Sequence, residues 1–256
     1  MIEPSMDSPL WVFVVSLVAF LLADMAGAHL SEKRAGLTET EKNVLGVILT
    51  GVLTLYAVII GFSFSMASGR FDQRKNFEEA EANAIGTEYL RLGLLPAADA
   101  ARARGLLKRY IQARILFYTT RDPQALAKVD SSTAHLQDAL WTSVQGPPAV
   151  EPTAVGAAIV TGMNDVLNAQ GFTQAAWWNR VPVAAWALIV AISLCCCVLY
   201  GFYATRKSGR LLFGSLPFIL AITFMLLADL DSPRGGVILV HPQNLMHLAQ
   251  GLGVSY

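Results

Sequence analysis

The chain has 256 residues, of which 54% are hydrophobic and only 15% charged, and its mean hydropathy is +0.46. Soluble domains carry about 25% charged residues; here the deficit is concentrated in four stretches, which excludes an ordinary water-soluble fold. Lys plus Arg and Asp plus Glu balance at 19 each, and no basic run with interleaved aromatics occurs, so nucleic acid is excluded as a partner.

A hydrocarbon core about 30 Å thick needs about 20 apolar residues of helix. The first such stretch is 10–30, with Asp24 as its one charge. Ala26-Gly27-Ala28 resembles a signal-peptide cleavage site. The residues before the stretch hold Glu3 and Asp7 and neither Lys nor Arg, so a retained span is expected. The second stretch, 43–69, carries no charge. No proline lies between Pro9 and Pro96, so this helix is expected to continue beyond the membrane, through Arg70 and on to Leu95.

Four further helical patterns fill 71–172. The first has Phe71, Ala82, Ile85, Tyr89 and Leu92 on one stripe, with Arg74–Glu78 and Lys75–Glu79 at i,i+4 and Glu88–Arg91 at i,i+3. The second, 99–118, places Leu107, Tyr110, Ile111, Arg114 and Phe117 at helical spacing. The third, 123–144, runs from Pro123 to a stop at Gly146-Pro147-Pro148, with Leu126, Val129, Thr133, Leu136 and Leu140 repeating every three or four residues. The fourth, 152–168, has Val155, Ile159, Met163 and Val166.

The third apolar stretch, 181–205, begins with Pro182 where a missing N–H is harmless. Trp177 and Trp178 precede it and suit the headgroup belt, as Trp11 does for the first span. Cys195, Cys196 and Cys197 lie inside it. Adjacent cysteines on a helix point in different directions and cannot form a relaxed disulfide. The fourth stretch, 211–228, ends against Asp229, and its Pro217 predicts a kink.

The expected fold is therefore an all-α membrane protein: four transmembrane helices, with an extramembrane helical segment between the second and third. Its parts are 1–69 (spans one and two), 70–176 (the helical domain), 177–229 (spans three and four) and 230–256 (a tail packing at the junction). An even number of spans puts both termini and the helical domain on one side. The short loops carry Lys33, Arg34, Lys42, Arg206, Lys207 and Arg210; the opposite side has Arg70, Arg74, Lys75, Arg180 and Arg234. Six against five leaves the orientation open.

No catalytic constellation, metal-ligand spacing or phosphate loop occurs; His29, His135, His241 and His247 are scattered. Neither enzymatic activity nor a cofactor is expected. Two stretches stand out. One comprises Gly61-Phe-Ser-Phe-Ser-Met-Ala-Ser-Gly-Arg70, Phe71-Asp-Gln-Arg74, Glu81-Ala-Asn-Ala-Ile-Gly-Thr87 and Tyr89-Leu-Arg91-Leu-Gly-Leu-Leu-Pro96. The other is Asp229-Leu-Asp231-Ser-Pro233-Arg-Gly235-Gly, running on to Pro242-Gln-Asn-Leu245. In these residues the chain resembles a bacterial family of bestrophin-like membrane proteins, over nearly its whole length, and more distantly the bestrophin anion channels.

The resemblance implies a homo-oligomer (a pentamer in bestrophins) in the bacterial inner membrane, conducting inorganic anions of the chloride type, with its helical domain in the cytosol. It also implies that span two lines the pore. Ile60 and Phe64, i,i+4 on one face with Ser63 and Ala67 beside them, are the pore-lining candidates; hydroxyls and ring edges can steady an anion. Alternatively Phe62 and Phe64 face lipid or another span, Gly51 and Gly61 allow close helix packing, and the protein is a non-conducting scaffold or sensor whose helical domain binds a partner. Arg70, Arg74, Glu81 and Asn83 read as a polar latch between span two and the helical domain, closed from the tail by Asp229, Asp231 and Arg234. Asp229 and Asp231 are too few for a Ca²⁺ site, which takes about six to eight oxygens, so no metal is expected.

Overall fold

In the computed structural model, residues 8–33, 38–150, 153–204 and 214–255 are described. Among them every regular element is helical: α1 (Pro9–Lys33), α2 (Glu39–Arg91), α3 (Ala97–Thr119), α4 (Pro123–Val150), α5 (Ala154–Trp178), α6 (Val183–Tyr203), α7 (Ser215–Asp231) and α8 (Gln243–Gly251). A 3-10 turn over Leu92–Leu94 follows α2. The long second helix expected from the absence of proline is present: α2 has 53 residues and ends at Arg91, four short of Leu95, and the 3-10 turn carries the chain to the extended Leu95 that Pro96 requires before it.

The chain divides into two units. The apolar unit comprises the described residues up to Phe71 together with Arg180–Leu239; the polar unit comprises Asp72–Asn179 and the described residues from Val240 onward. Among the described residues, three helical stretches are long and apolar enough to cross a membrane: Pro9–Lys33, Glu39–Leu94 and Ala154–Tyr203. The last contains the uncharged α6. α7 has 17 residues, about 26 Å at 1.5 Å per residue. The residues before it, including Leu211 and the basic Arg206, Lys207 and Arg210, lie outside the described residues, as do Thr205 and Arg34. Pro217 occupies the first turn of α7, where its missing N–H breaks no helical bond, so the kink expected there has no cause.

In the apolar unit, α1 packs on both α6 and α7. Glycines set the first contact. A Cβ on Gly27 would overlap the Val198 carbonyl, and one on Gly201 would overlap the backbone of Asp24. Such small-residue crossings bring helix backbones together where no hydrophobic driving force exists between apolar rods. Around the crossing, Phe20 meets Phe224 edge-on at 5.1 Å, and Tyr56, Ile189, Cys196, Cys197, Leu220 and Leu227 complete the core. Cys195 is exposed while its two neighbours are buried, so the three thiols point apart, as helical geometry requires.

In the polar unit the expected stripe of α3 is wholly buried: Leu107, Tyr110, Ile111, Arg114 and Phe117. Leu136 and Leu140 of α4 and Ile159, Met163 and Val166 of α5 face the same core, whereas Val155 is exposed. Two boundaries differ from expectation. α4 passes Gly146 and runs to Val150, and α5 runs ten residues beyond Asn168 to Trp178. The second difference moves Trp177 out of the expected headgroup belt. It is buried against Phe117 (5.0 Å) and Tyr118 (5.4 Å), while Trp178 is exposed. Successive helical residues point about 100° apart, so one of an adjacent Trp pair can join a core and the other cannot.

Because both glycine contacts are with backbone, Gly201→Val is expected to destabilise the solubilised protein by about 1–3 kcal/mol or more. Gly105→Ala, where nothing lies within 4 Å, is expected to be neutral or to gain up to about 1 kcal/mol. Thermal melting in detergent checks both.

Candidate functional site

The uncharged half of α2 has a narrow buried edge and a broad open face. Tyr56, Ser63 and Ala67 are buried on the core side, and Ile60 is half-buried against the same cluster. The Ser63 hydroxyl donates to the Ile59 carbonyl at 2.9 Å. Of the four pore-lining candidates, Ser63 and Ala67 therefore turn into their own chain's bundle, and only Phe64 is exposed. The open arc has Thr54, Val58, Gly61 and Ser65 near its centre, with Phe62 on one flank and Phe64 on the other. Gly51, Gly61 and Gly69 each have open space where a Cβ would lie.

The polar residues that follow distribute between the two units. In the apolar unit, Arg70 Nη1 donates to the Arg180 carbonyl, and the Val181 amide donates to Asp231 Oδ1 at 2.8 Å. One side chain from the end of span two and one from the end of α7 thus grip the two ends of a single peptide group, the one joining Arg180 to Val181, just before α6. Asp229 closes the following loop: its Oδ1 accepts from the Val237 amide at 2.7 Å, with Ile238 at 3.4 Å, and a Cβ on Gly236 would occupy the position of that oxygen. Ser232 Oγ accepts from the Gly235 amide at 3.0 Å. The Asp-x-Asp-Ser-Pro-x-Gly-Gly run is thereby a loop lock. Arg234 is half-buried in the same loop.

In the polar unit, Arg74 and Glu81 are buried while Asn83 is exposed. Glu81 is the hub. Arg114 Nε donates to Glu81 Oε1, and Arg114 Nη2 approaches Oε2 at 3.3 Å. The Thr173 hydroxyl at 3.0 Å and the Tyr118 hydroxyl at 3.4 Å also donate to Oε2. The guanidinium lies over the Phe117 ring, 4.4 Å from its centroid. Burial opposes the Arg114 charge, but Glu81 and the two tyrosines hold its pKa above the ordinary arginine value. Burial first, and then the Glu81 charge, push the Tyr110 and Tyr118 phenols up, so both remain protonated; Tyr118 donates to Glu81, and the Tyr110 hydroxyl accepts from Gln137 Nε2 at 3.4 Å.

Glu78, one turn earlier, takes the N-terminus of α8. Its Oε1 accepts from the Leu245 amide at 2.9 Å, and its Oε2 from Asn244 Nδ2 at 2.6 Å. A carboxylate there meets unpaired amides and the positive end of the helix dipole. Burial nevertheless outweighs these bonds and raises the Glu78 pKa. The tail is fastened further along, where Lys108 Nζ donates to the Leu252 carbonyl and Gln112 to that of Ser255.

Sequence reasoning found Glu81 but missed its partners. Arg114 did carry a signal, as the one charged residue in an otherwise apolar stripe. Thr173 carried none, and Asn244, the partner of Glu78, lay in the Pro242-Gln-Asn-Leu245 stretch without its contact being legible.

These features define a helical membrane protein in which one helix carries both an open apolar face and a row of buried acids. The family profile described as Bestrophin-like domain matches residues 10–245, and the chain belongs to that family. No curated protein matches it. Among solved structures, the chain is similar to a bacterial Bestrophin homolog from Klebsiella pneumoniae. One variant of that protein matches with a TM-score of 0.63 at 16% identity, covering 95% of this chain and 97% of the other. A second variant matches with 0.61 at 15%, covering 93% and 99%. The form phased on zinc matches with 0.58 at 16%, covering 94% and 98%. At such identities the likeness establishes the fold.

Removing one partner of a buried ion pair leaves an uncompensated charge, which costs about 3–5 kcal/mol. Glu81→Ala is therefore expected to lower the melting temperature of the purified protein far more than Glu79→Ala at the neighbouring exposed position.

Proposed function

We propose that the chain is one subunit of a homo-oligomeric anion channel, pentameric as in bestrophins, with α2 lining the conducting path. The known members of the Bestrophin-like family are anion channels. The observation that carries the reading here is the surface of α2 itself. Most of its apolar segment is open, and beyond Val47 the centre of the open arc carries Gly51, Thr54, Val58, Gly61 and Ser65. Small residues of this kind are used where helices or subunits approach closely, rather than where a helix faces lipid tails.

The path runs along that arc. The Thr and Ser hydroxyls and the positive ring edges of Phe62 and Phe64 would meet the anion, while Ser63, Ala67 and the inner side of Ile60 support the helix from behind. The polar unit has its own exposed apolar residues, Leu90, Leu94, Leu116 and Phe172, which suit contacts between subunits. The four-span arrangement, with α6 and α7 as spans three and four, an inner-membrane location and a cytosolic polar unit, belongs to the same proposal. The four spans rest on the apolar stretches of the sequence, and the location and orientation rest on the family alone.

Planar-bilayer recording of the purified oligomer tests it. In a background lacking the native cysteines, Val58→Cys and Ser65→Cys are expected to react with a charged, water-soluble thiol reagent and to reduce anion current, and Ser63→Cys and Ala67→Cys are not. An intact oligomer that passes no anions would leave the scaffold reading in its place.

A further inference from the structure

Glu88 lies one turn before the end of α2, and nothing described so far uses it. Its side chain is fully buried, and neither carboxylate oxygen has a hydrogen-bond partner among the described residues. Facing it on α5 is Gly162. A Cβ there would overlap both Glu88 Oε2 and Arg91 Nη1. Glycine weakens a helix interior; at this position it leaves the notch that the carboxyl group fills.

The charged groups around the seat are few. On α2, Arg91 Nη1 stands 3.9 Å from Glu88 Oε2 and is itself 39% exposed. Glu81, two turns back on the same stripe, is neutralised by Arg114. On α5, Asp165 is exposed one turn beyond Gly162 and adds a like charge. On α3, Arg104 is committed to the Tyr89 carbonyl at 3.0 Å and to the Tyr89 ring. From α8 the approaching side chain is Leu248, 3.2 Å from where a Gly86 Cβ would lie.

We propose that Glu88, seated in the Gly162 notch, is a proton-operated contact between α2 and α5: protonated, it holds the two helices together, and ionised, it loosens them. A carboxylate without donors in an apolar seat is costly. Its relief is to swing toward Arg91 and water, away from Asp165, which requires the seat to open. Burial, reinforced by Asp165 and only partly opposed by Arg91, raises the pKa of this carboxyl from 4.5 to about 7. The sign follows from linkage. The folded pKa lies above the unfolded one, so the stabilising contribution is complete below 4.5 and is lost as pH rises through about 7. The contact therefore changes state across neutrality, in the helix that continues into span two.

Melting of the whole solubilised protein across this range, together with hydrogen exchange of α5 corrected for the chemical exchange rate, provides the test. In the wild type, stability is expected to fall with rising pH around a midpoint near neutrality, and amides near Gly162 to exchange faster on the alkaline side. Glu88→Gln, neutral throughout, is expected to abolish both changes. Arg91→Ala is expected to move the midpoint up and Asp165→Asn to move it down. These two variants decide the matter if Glu88→Gln fails to fold. A wild-type pH profile in Glu88→Gln, or a midpoint that neither of the other variants moves, overturns the proposal. No current is measured, so the outcome is independent of whether the protein conducts.

Discussion

Burying three carboxylates along one stripe of a single helix is the constraint around which the polar unit is organised. After Phe71 the inward stripe of α2 reads Arg74, Glu78, Glu81, Ile85 and Glu88, all buried, and Leu92 of the 3-10 turn continues it. A buried charge is tolerated only when something answers it, and each acid is met in a different way. The N-terminus of α8 answers Glu78, Arg114 of α3 with Thr173 of α5 answers Glu81, and the Gly162 notch in α5 receives Glu88. Each helix that supplies an answer is thereby pinned to α2 at a defined height. Apolar contacts alone tolerate sliding; a hydrogen-bonded acid does not, because a displacement of one residue leaves it unpaired.

The apolar unit is held by a different kind of force. Between spanning helices hydrophobicity gives no net attraction, so close packing and a few backbone-directed hydrogen bonds have to suffice. The Gly27–Gly201 crossing supplies the packing. The grip of Arg70 and Asp231 on residues 180 and 181 supplies the hydrogen bonds. Both bonds are made to main-chain atoms, so they are indifferent to which side chains stand at 180 and 181 and fix only the path of the chain as it enters α6. Asp229 does the same for the exit from α7. What had read as one latch is thus two devices: a lock on chain path in the apolar unit and an acid-anchored core in the polar unit.

α2 belongs to both units, and its chemistry changes without any break in its backbone. Every peptide group in the apolar part is paired within the helix, as lipid demands, and the side chains alone switch from uncharged to charged at Arg70. This continuity gives the proposed channel its economy of design: the helix whose open face is available to a partner copy is the helix whose other half carries the titratable, buried residues.

The amino-acid sequence by itself determined the helical class, the length of α2 and the family, because these rest on local quantities: runs of apolar residues, the positions of proline, and short motifs. It also marked most of the core stripes, since burial on a helix follows a fixed period. Tertiary structure decided which face of each stripe met what. Ile60, Ser63, Phe64 and Ala67 are neighbours on one helix, but only packing in the core of the apolar unit separated the buried Ser63 and Ala67 from the exposed Phe64. Trp177 and Trp178 are adjacent and chemically alike, and α5 had to be seen to extend to both before one became core and the other surface. The partners of Glu81 and Glu88 lie 33 and 74 residues away, at Arg114 and Gly162. No periodicity connects residues so far apart; only the folded chain brings a carboxylate to its guanidinium or to the space a missing side chain leaves.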